Sequence, residues 1–343
     1  MRAASPIPML LWGMAAAAAI GPVPVQAQGN GAPAVGAIRD EVAERLRALR
    51  ESIRPRGSGV LGLMGYNVVP DGSTNALQLD RTTLSGDSDP TLTLGQMGFG
   101  FTWGESFPLF TEIYLGYARY DPRAVFSGGV DDRKSPLRWN NVASTIGIGY
   151  DIRLAENLWL RPILNASLGY AASDASLFGE FVQFRTGVDI SPLTSLHVNV
   201  YGIGGALTLA YYDYRPERDI DVELRYTQIQ LRTFGDTLPA ARGQATAETI
   251  GLWTRYRWPT GREVFGRPLR WVLDGSASYY LGDQRETLGF AWSAKVGGGI
   301  EFDTGRWELG AMGINLNRVR LIGRYFFGDK DVSGYSFGIG MSF

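Results

Sequence analysis

A single histidine, His197, and the absence of cysteine restrict the side-chain chemistry open to this chain. A histidine acting as general base needs a nucleophile beside it and a third group to orient it, and no serine here lies in a recognisable nucleophile motif. Gly86-Asp87-Ser88 begins like one esterase motif but lacks the residues that would follow. His197, beside Asn199, reads instead as one polar side chain among several on the wet face of a strand. Cysteine pairs, histidine clusters and phosphate-cradling glycine loops are all missing, so the sequence implies no metal and no cofactor. Asp131-Asp132 and the run from Asp329 to Asp331 are acidic enough to attract divalent ions, and solvated loop charge is the simpler reading.

The charges that do carry a pattern are those two residues apart. Successive side chains of a strand point to opposite faces. From Val142 to Leu154 the even positions are Val142, Ser144, Ile146, Ile148, Tyr150, Ile152 and Leu154, while the odd ones include Thr145, Gly147, Gly149, Asp151 and Arg153. Leu158, Leu160, Leu164, Leu168 and Tyr170 then oppose Arg161, Asn165, Ser167 and Gly169. Further on, Ile220, Val222, Leu224 and Tyr226 oppose Asp221, Glu223, Arg225 and Thr227. Leu288, Phe290, Trp292, Val296, Ile300 and Phe302 oppose Ser293, Lys295, Gly297 and Glu301. A barrel standing in lipid requires this alternation, with the polar set turned to its lumen. On that reading Asp151, Arg153, Arg161, His197, Asp221, Glu223, Arg225, Arg255, Arg257, Asp274, Lys295 and Glu301 are predicted to line the lumen.

Alternation alone also suits a soluble sandwich, whose apolar faces meet in a core. Three features favour lipid. Several strands run well past the usual length of about five or six residues. Tyr and Trp gather near strand ends, at Trp103, Tyr117, Tyr120, Trp139, Tyr150, Trp159, Tyr170, Tyr211, Tyr212, Trp258, Trp271, Tyr279, Tyr280 and Trp307, where interfacial girdles sit. The terminus alternates without a break and places Tyr335, Phe337, Ile339, Met341 and Phe343 on one face, which resembles the signal that outer-membrane barrels present to the barrel assembly machinery.

The N-terminus fits this destination. Arg2, an apolar stretch from Met9 to Ile20 and the small-residue site Val25-Gln26-Ala27 have the order of a secretory signal peptide, with cleavage predicted after Ala27. The stretch is too short for a membrane-crossing helix, which needs about 20 residues. A net charge of −1 with both signs interspersed gives no field for nucleic acid. The partners implied are outer-membrane lipids and lipopolysaccharide.

Working back from Phe343, strands are predicted at 334–343, 306–328, 288–303, 270–282, 244–258, 219–233, 196–214, 157–171, 140–154, 108–121, 91–104 and 73–82. This is an all-β, transmembrane, antiparallel up-and-down barrel of twelve strands. It puts the long connections Asp121 to Trp139, Ala171 to Ser195 and Phe234 to Arg242 outside the cell and the tight turns in the periplasm. Thr260 to Leu269 is the exception, a long connection on the periplasmic side. The length of 306–328 leaves room for two strands there, and so for fourteen in all.

Ahead of the barrel, Ile38, Val42, Leu46, Leu49 and Ile53 form one helical stripe, ended by Pro55 and Gly57. Residues 1–27 are thus read as signal peptide, 28–56 as amphipathic helix and linker, and 57–343 as barrel. The helix has two readings, packed at the barrel rim or lying in the lumen, with Val60 to Val69 leading from it to the first strand.

The order of signal peptide, helix and barrel resembles the translocator unit of autotransporters. Thr249-Ile250-Gly251-Leu252-Trp253-Thr254-Arg255-Tyr256-Arg257-Trp258-Pro259-Thr260-Gly261, and Glu308-Leu309-Gly310 through Phe326-Phe327-Gly328-Asp329, are similar to the solitary autotransporter-like barrel family, over roughly residues 55–343. The resemblance implies a translocator-type barrel with a structural or pore role. The chain departs from ordinary autotransporters in having only about 30 residues between Ala27 and Gly57, too few for a large passenger. The competing reading is a porin-like channel that filters small solutes by charge; an outer-membrane hydrolase is a third.

Overall fold

The computed structural model describes residues 57–70, 75–80, 90–104, 106–120, 139–174, 176–177, 185, 197–237, 242–264, 266–288, 290–304, 310–311, 314–315, 318–329 and 332–342. The signal-peptide stretch, the 38–53 stripe and Phe343 lie outside the described residues.

Among the described residues, twelve antiparallel strands close into a ring. In chain order they are β1 (Asn75–Asp80), β2 (Pro90–Thr102), β3 (Leu109–Tyr120), β4 (Trp139–Tyr150, resumed at Ile152–Ala155), β5 (Leu158–Ser173) and β6 (His197–Arg215). They continue as β7 (Arg218–Thr233), β8 (Gln244–Val264), β9 (Arg267–Leu281), β10 (Trp292–Asp303), β11 (Arg318–Gly328) and β12 (Ser333–Ser342). Each pairs with the next, and β12 returns to β1 with Ala76 opposite Phe337. The two parts of β4 keep one register against β5, Gly149 opposite Ile163 and Ile152 opposite Leu160, so Asp151 interrupts the ladder without shifting it. The ladder across this seam is short, because β1 joins β2 and β12 only over Asn75–Asp80; pairing every strand into a ring is how a sheet standing in hydrocarbon satisfies its backbone groups.

Three connections differ from the sequence reading. The supposed long link from Thr260 to Leu269 is strand: β8 runs to Val264 and β9 starts at Arg267, paired with each other across a turn at Gly266. Gly266 has φ 68°, a left-handed conformation that glycine adopts without steric cost. The 306–328 segment is neither one strand nor two wall strands. Gly310–Ala311 pairs with Ile314–Asn315 in a separate small sheet, and the wall resumes only at Arg318. Lastly, Gly282–Leu288 is a short helix, α2, so β10 begins at Trp292 and not at 288.

The outward face is a belt of exposed apolar side chains, among them Ile146, Leu164, Ile203, Leu273, Val296, Leu321 and Phe337. Leu164 is 77% exposed and Phe337 71%, and no soluble fold tolerates such a belt around its whole circumference. Tyr150, Tyr211, Tyr256, Trp271, Tyr279 and Trp292 share this face. Four expected girdle residues do not: Trp139 and Tyr280 are buried on the inner face, Tyr212 points inward to the Glu223 carboxylate, and Trp159 has the inward parity of Arg161 with its ring 5.6 Å from that of Tyr212. The fold is a transmembrane barrel of the outer-membrane type, with its long connections at one end, taken as the outer end, and tight turns at 156–157, 216–217 and 265–266 at the other.

Candidate functional site

The lumen is where charge, glycine and burial converge, and it is filled in two layers. The upper layer is a helix, α1 (Gly57–Val68), with sequence GSGVLGLMGYNV. Four glycines in twelve residues give it poor intrinsic helix propensity, so packing against the wall must hold it. Leu61, Met64 and Val68 are buried. The glycines permit close approach on both surfaces: a Cβ on Gly65 would lie 2.9 Å from that of Ala247, and a Cβ on Gly169 of the wall only 2.3 Å from Met64 Sδ.

The last carbonyls of a helix have no partner within it. Here the wall supplies them. Thr145 Oγ1 donates to the Val68 carbonyl at 2.7 Å and shares a 2.8 Å bond with Ser167. Gln96 Nε2 donates to the carbonyls of Asn67, at 3.2 Å, and Val69, at 2.9 Å. Tyr66 packs with its ring tilted at 38° and 5.8 Å from that of Tyr280, which is buried with Leu94, Ala118, Phe290 and Phe326. The N-terminal part of α1 lies beside α2 and Gly243 at the long-loop end, and its C-terminal end lies by Thr145 and Gln96 in mid-barrel. The lumenal helix is therefore Gly57–Val68, a segment read from the sequence as a mere lead into the first strand; the predicted 38–53 helix falls outside the described residues.

The lower layer is an ion-pair network. Arg225 grips Glu112 with two guanidinium nitrogens, both at 2.7 Å, and Asn165 Nδ2 donates to the same carboxylate at 2.8 Å. Arg161 pairs with Asp151 and lies 3.8 Å over the Phe110 ring. Arg257 reaches Asp221 at 2.9 Å and Glu301 at 3.3 Å. Asp274 is shared by Arg255 and Arg324, Glu301 by Arg257, Arg318 and Arg320, and Asp219 by Arg270 and Arg318. Low local dielectric strengthens each contact and makes an uncompensated loss expensive. Within this network, and reaching the inner faces of β2, β11 and β12, remains a cavity of about 370 Å³.

Of the residues expected in the lumen, Asp151, Arg161, Asp221, Glu223, Arg225, Arg255, Arg257, Asp274, Lys295 and Glu301 have inward parity. Two do not line it. Arg153 is exposed near the end of β4, donating to the Ala155 and Glu156 carbonyls at 3.3 Å. His197 shares the outward parity of Ile203 and Leu207, with its ring 5.8 Å from Tyr170. The cause is an inversion of pattern: Val198 and Val200 are the buried inward residues, because Gly169, opposite Val200, faces Met64 and the lumen at this height is apolar. Glu112, Asp219, Arg270, Arg318, Arg320 and Arg324 went unrecognised. For the residues of β11 the alternating Arg318, Arg320 and Arg324 were the available signal, hidden by the misplaced strand start.

No protein-family model matches this sequence, and no curated protein is similar to it at a significant level. Among solved structures, the chain is similar to the translocator domain of the autotransporter NalP from Neisseria meningitidis, with 10% identity over 90% of this chain and 96% of that one, TM-score 0.39. It is similar to the β domain of the Bordetella autotransporter BrkA, with 11% identity, 79% and 97% coverage and TM-score 0.40. It is also similar to LpxR from Salmonella typhimurium, with 12% identity, 79% and 100% coverage and TM-score 0.41.

Proposed function

We propose that this chain is a translocator-type barrel of the bacterial outer membrane that threads its own N-terminal segment outward through the lumen and keeps α1 there as a plug. The observation that carries this reading is the direction of α1. The helix runs from the long-loop end down to mid-barrel, and β1 starts at Asn75, opposite Gln96 and therefore also in mid-barrel. On this reading the outward-pointing start of α1 is what would deliver the preceding segment to the outer mouth. Export begins with the signal peptide and its cleavage after Ala27, and insertion uses the barrel assembly machinery, to which Tyr335, Phe337 and Ile339 offer an exposed apolar row. The lumen acts as a structural seal, and neither layer performs chemistry.

The absence of native cysteine makes the test direct. With Arg50→Cys, a membrane-impermeant maleimide added to intact cells should label the protein fully. Glu217→Cys, in the short turn between β6 and β7, should label only after lysis. Labelling of Arg50→Cys only after lysis would place the segment in the periplasm and remove the translocator reading.

A further inference from the structure

The lower lumen holds more than a seal requires. Its 370 Å³ cavity lies within the range of small-molecule sites, about 300–1,000 Å³. Six guanidinium groups line it, those of Arg161, Arg225, Arg255, Arg257, Arg320 and Arg324, against three carboxylates, Glu112, Asp221 and Glu223. The carboxylates that balance the remaining arginines, Asp151, Asp274 and Glu301, are not part of the cavity wall. The exposed inner surface is thus cationic, with its counter-charge set behind it. Glu223 is further engaged by the Tyr212 hydroxyl, which donates to it at 2.7 Å.

Two buried donors in the cavity wall have no partner among the described residues. Thr208 lines the cavity and is 1% exposed, and its hydroxyl makes no hydrogen bond; Arg257 is 3% exposed, and its Nε makes none although its terminal nitrogens do. A buried donor without an acceptor is left desolvated and uncompensated. Leaving two beside a cationic wall is costly unless something accepts from them.

We propose that this cavity binds a small oxyanion, a phosphate or carboxylate group entering from the short-turn end, with the arginines supplying charge and Thr208 and Arg257 the directed hydrogen bonds. Planar guanidinium groups suit both oxyanions, which present several acceptor oxygens in fixed geometry. The inference stands whether or not the chain threads its N-terminus outward.

The test uses the full chain purified in detergent. Sodium phosphate and sodium succinate are titrated separately while the melting temperature is followed, with sodium chloride at equal ionic strength as reference. A ligand that binds only the folded barrel raises the melting temperature in a saturable way. One or both oxyanions should do so, and the stronger arm identifies the group. Thr208→Val should weaken the apparent affinity by about tenfold, the worth of one hydrogen bond to a charged partner. Arg320→Gln, which leaves Glu301 with Arg257 and Arg318, should weaken it at least as much and serves if the first variant folds poorly. If neither oxyanion stabilises beyond chloride, or if both variants bind like the parent, the site does not exist.

Discussion

Replacing Glu112 with alanine should destabilise the barrel by about 3–5 kcal/mol, the cost of leaving one member of a buried ion pair uncompensated. Glu112 is 1% exposed and Arg225 6%, and the bidentate contact between them spans the lumen from β3 to β7. Removing the carboxylate leaves a guanidinium that is almost wholly buried at the cavity wall without its counter-charge, and it also deprives Asn165 Nδ2 of its acceptor. The loss belongs to the orphaned charge and not to the pair as such. The double variant Glu112→Ala with Arg225→Met should therefore recover most of the stability, whereas Arg225→Lys alone should not behave as conservative, because an ammonium cannot make the paired contact. Urea-dependent unfolding in detergent, read by tryptophan fluorescence or by the gel shift of the folded barrel, measures all three. A single variant as stable as the parent would mean that water reaches Arg225 in the lumen.

Removal of the plug should have an effect of a different kind. The intact chain is expected to conduct almost no current in a planar bilayer, since α1 fills the upper lumen and the ion pairs narrow the lower. A chain lacking residues 28–68 should open stable, long-lived channels that favour anions, given the arginines that line the cavity below. The wall groups Gln96 and Thr145 would then lose the helix carbonyls to which they donate. Large conductance in the intact chain would favour the filtering channel over the sealed translocator.

The outward faces were the most legible part of the fold. Lipid demands apolar side chains at every second position regardless of what lies inside, so Ile146, Leu164 and Val296 declared their strands from sequence alone. The lumen was legible only where it is charged. Arg161, Asp221, Arg257 and Glu301 alternate against apolar neighbours and fall on the inner face for that reason. Where the lumen holds a helix, its wall turns apolar as well, and the rule loses its contrast: Val198 and Val200 face inward, and the polar His197, expected in the lumen, alternates with them on the other face. The helix itself gave no amphipathic stripe. A segment surrounded by wall on all sides has no wet face to pattern, and its glycines, needed for close approach, resemble those of a linker.

The central claim is that Gly57–Val68 occupies the upper lumen against β8. With no native cysteine to interfere, the pair Gly65→Cys and Ala247→Cys tests it inside native outer membranes. A Cβ at Gly65 would lie 2.9 Å from that of Ala247, so a small outward adjustment reaches the 3.5–4.5 Å at which disulfides form. Mild oxidation should close this bond within one chain in nearly every molecule and leave Gly65→Cys paired with Glu217→Cys unlinked. No bond at the first pair, in a barrel that still folds and inserts, would mean that the helix lies elsewhere and that the lumen is not sealed by its own chain.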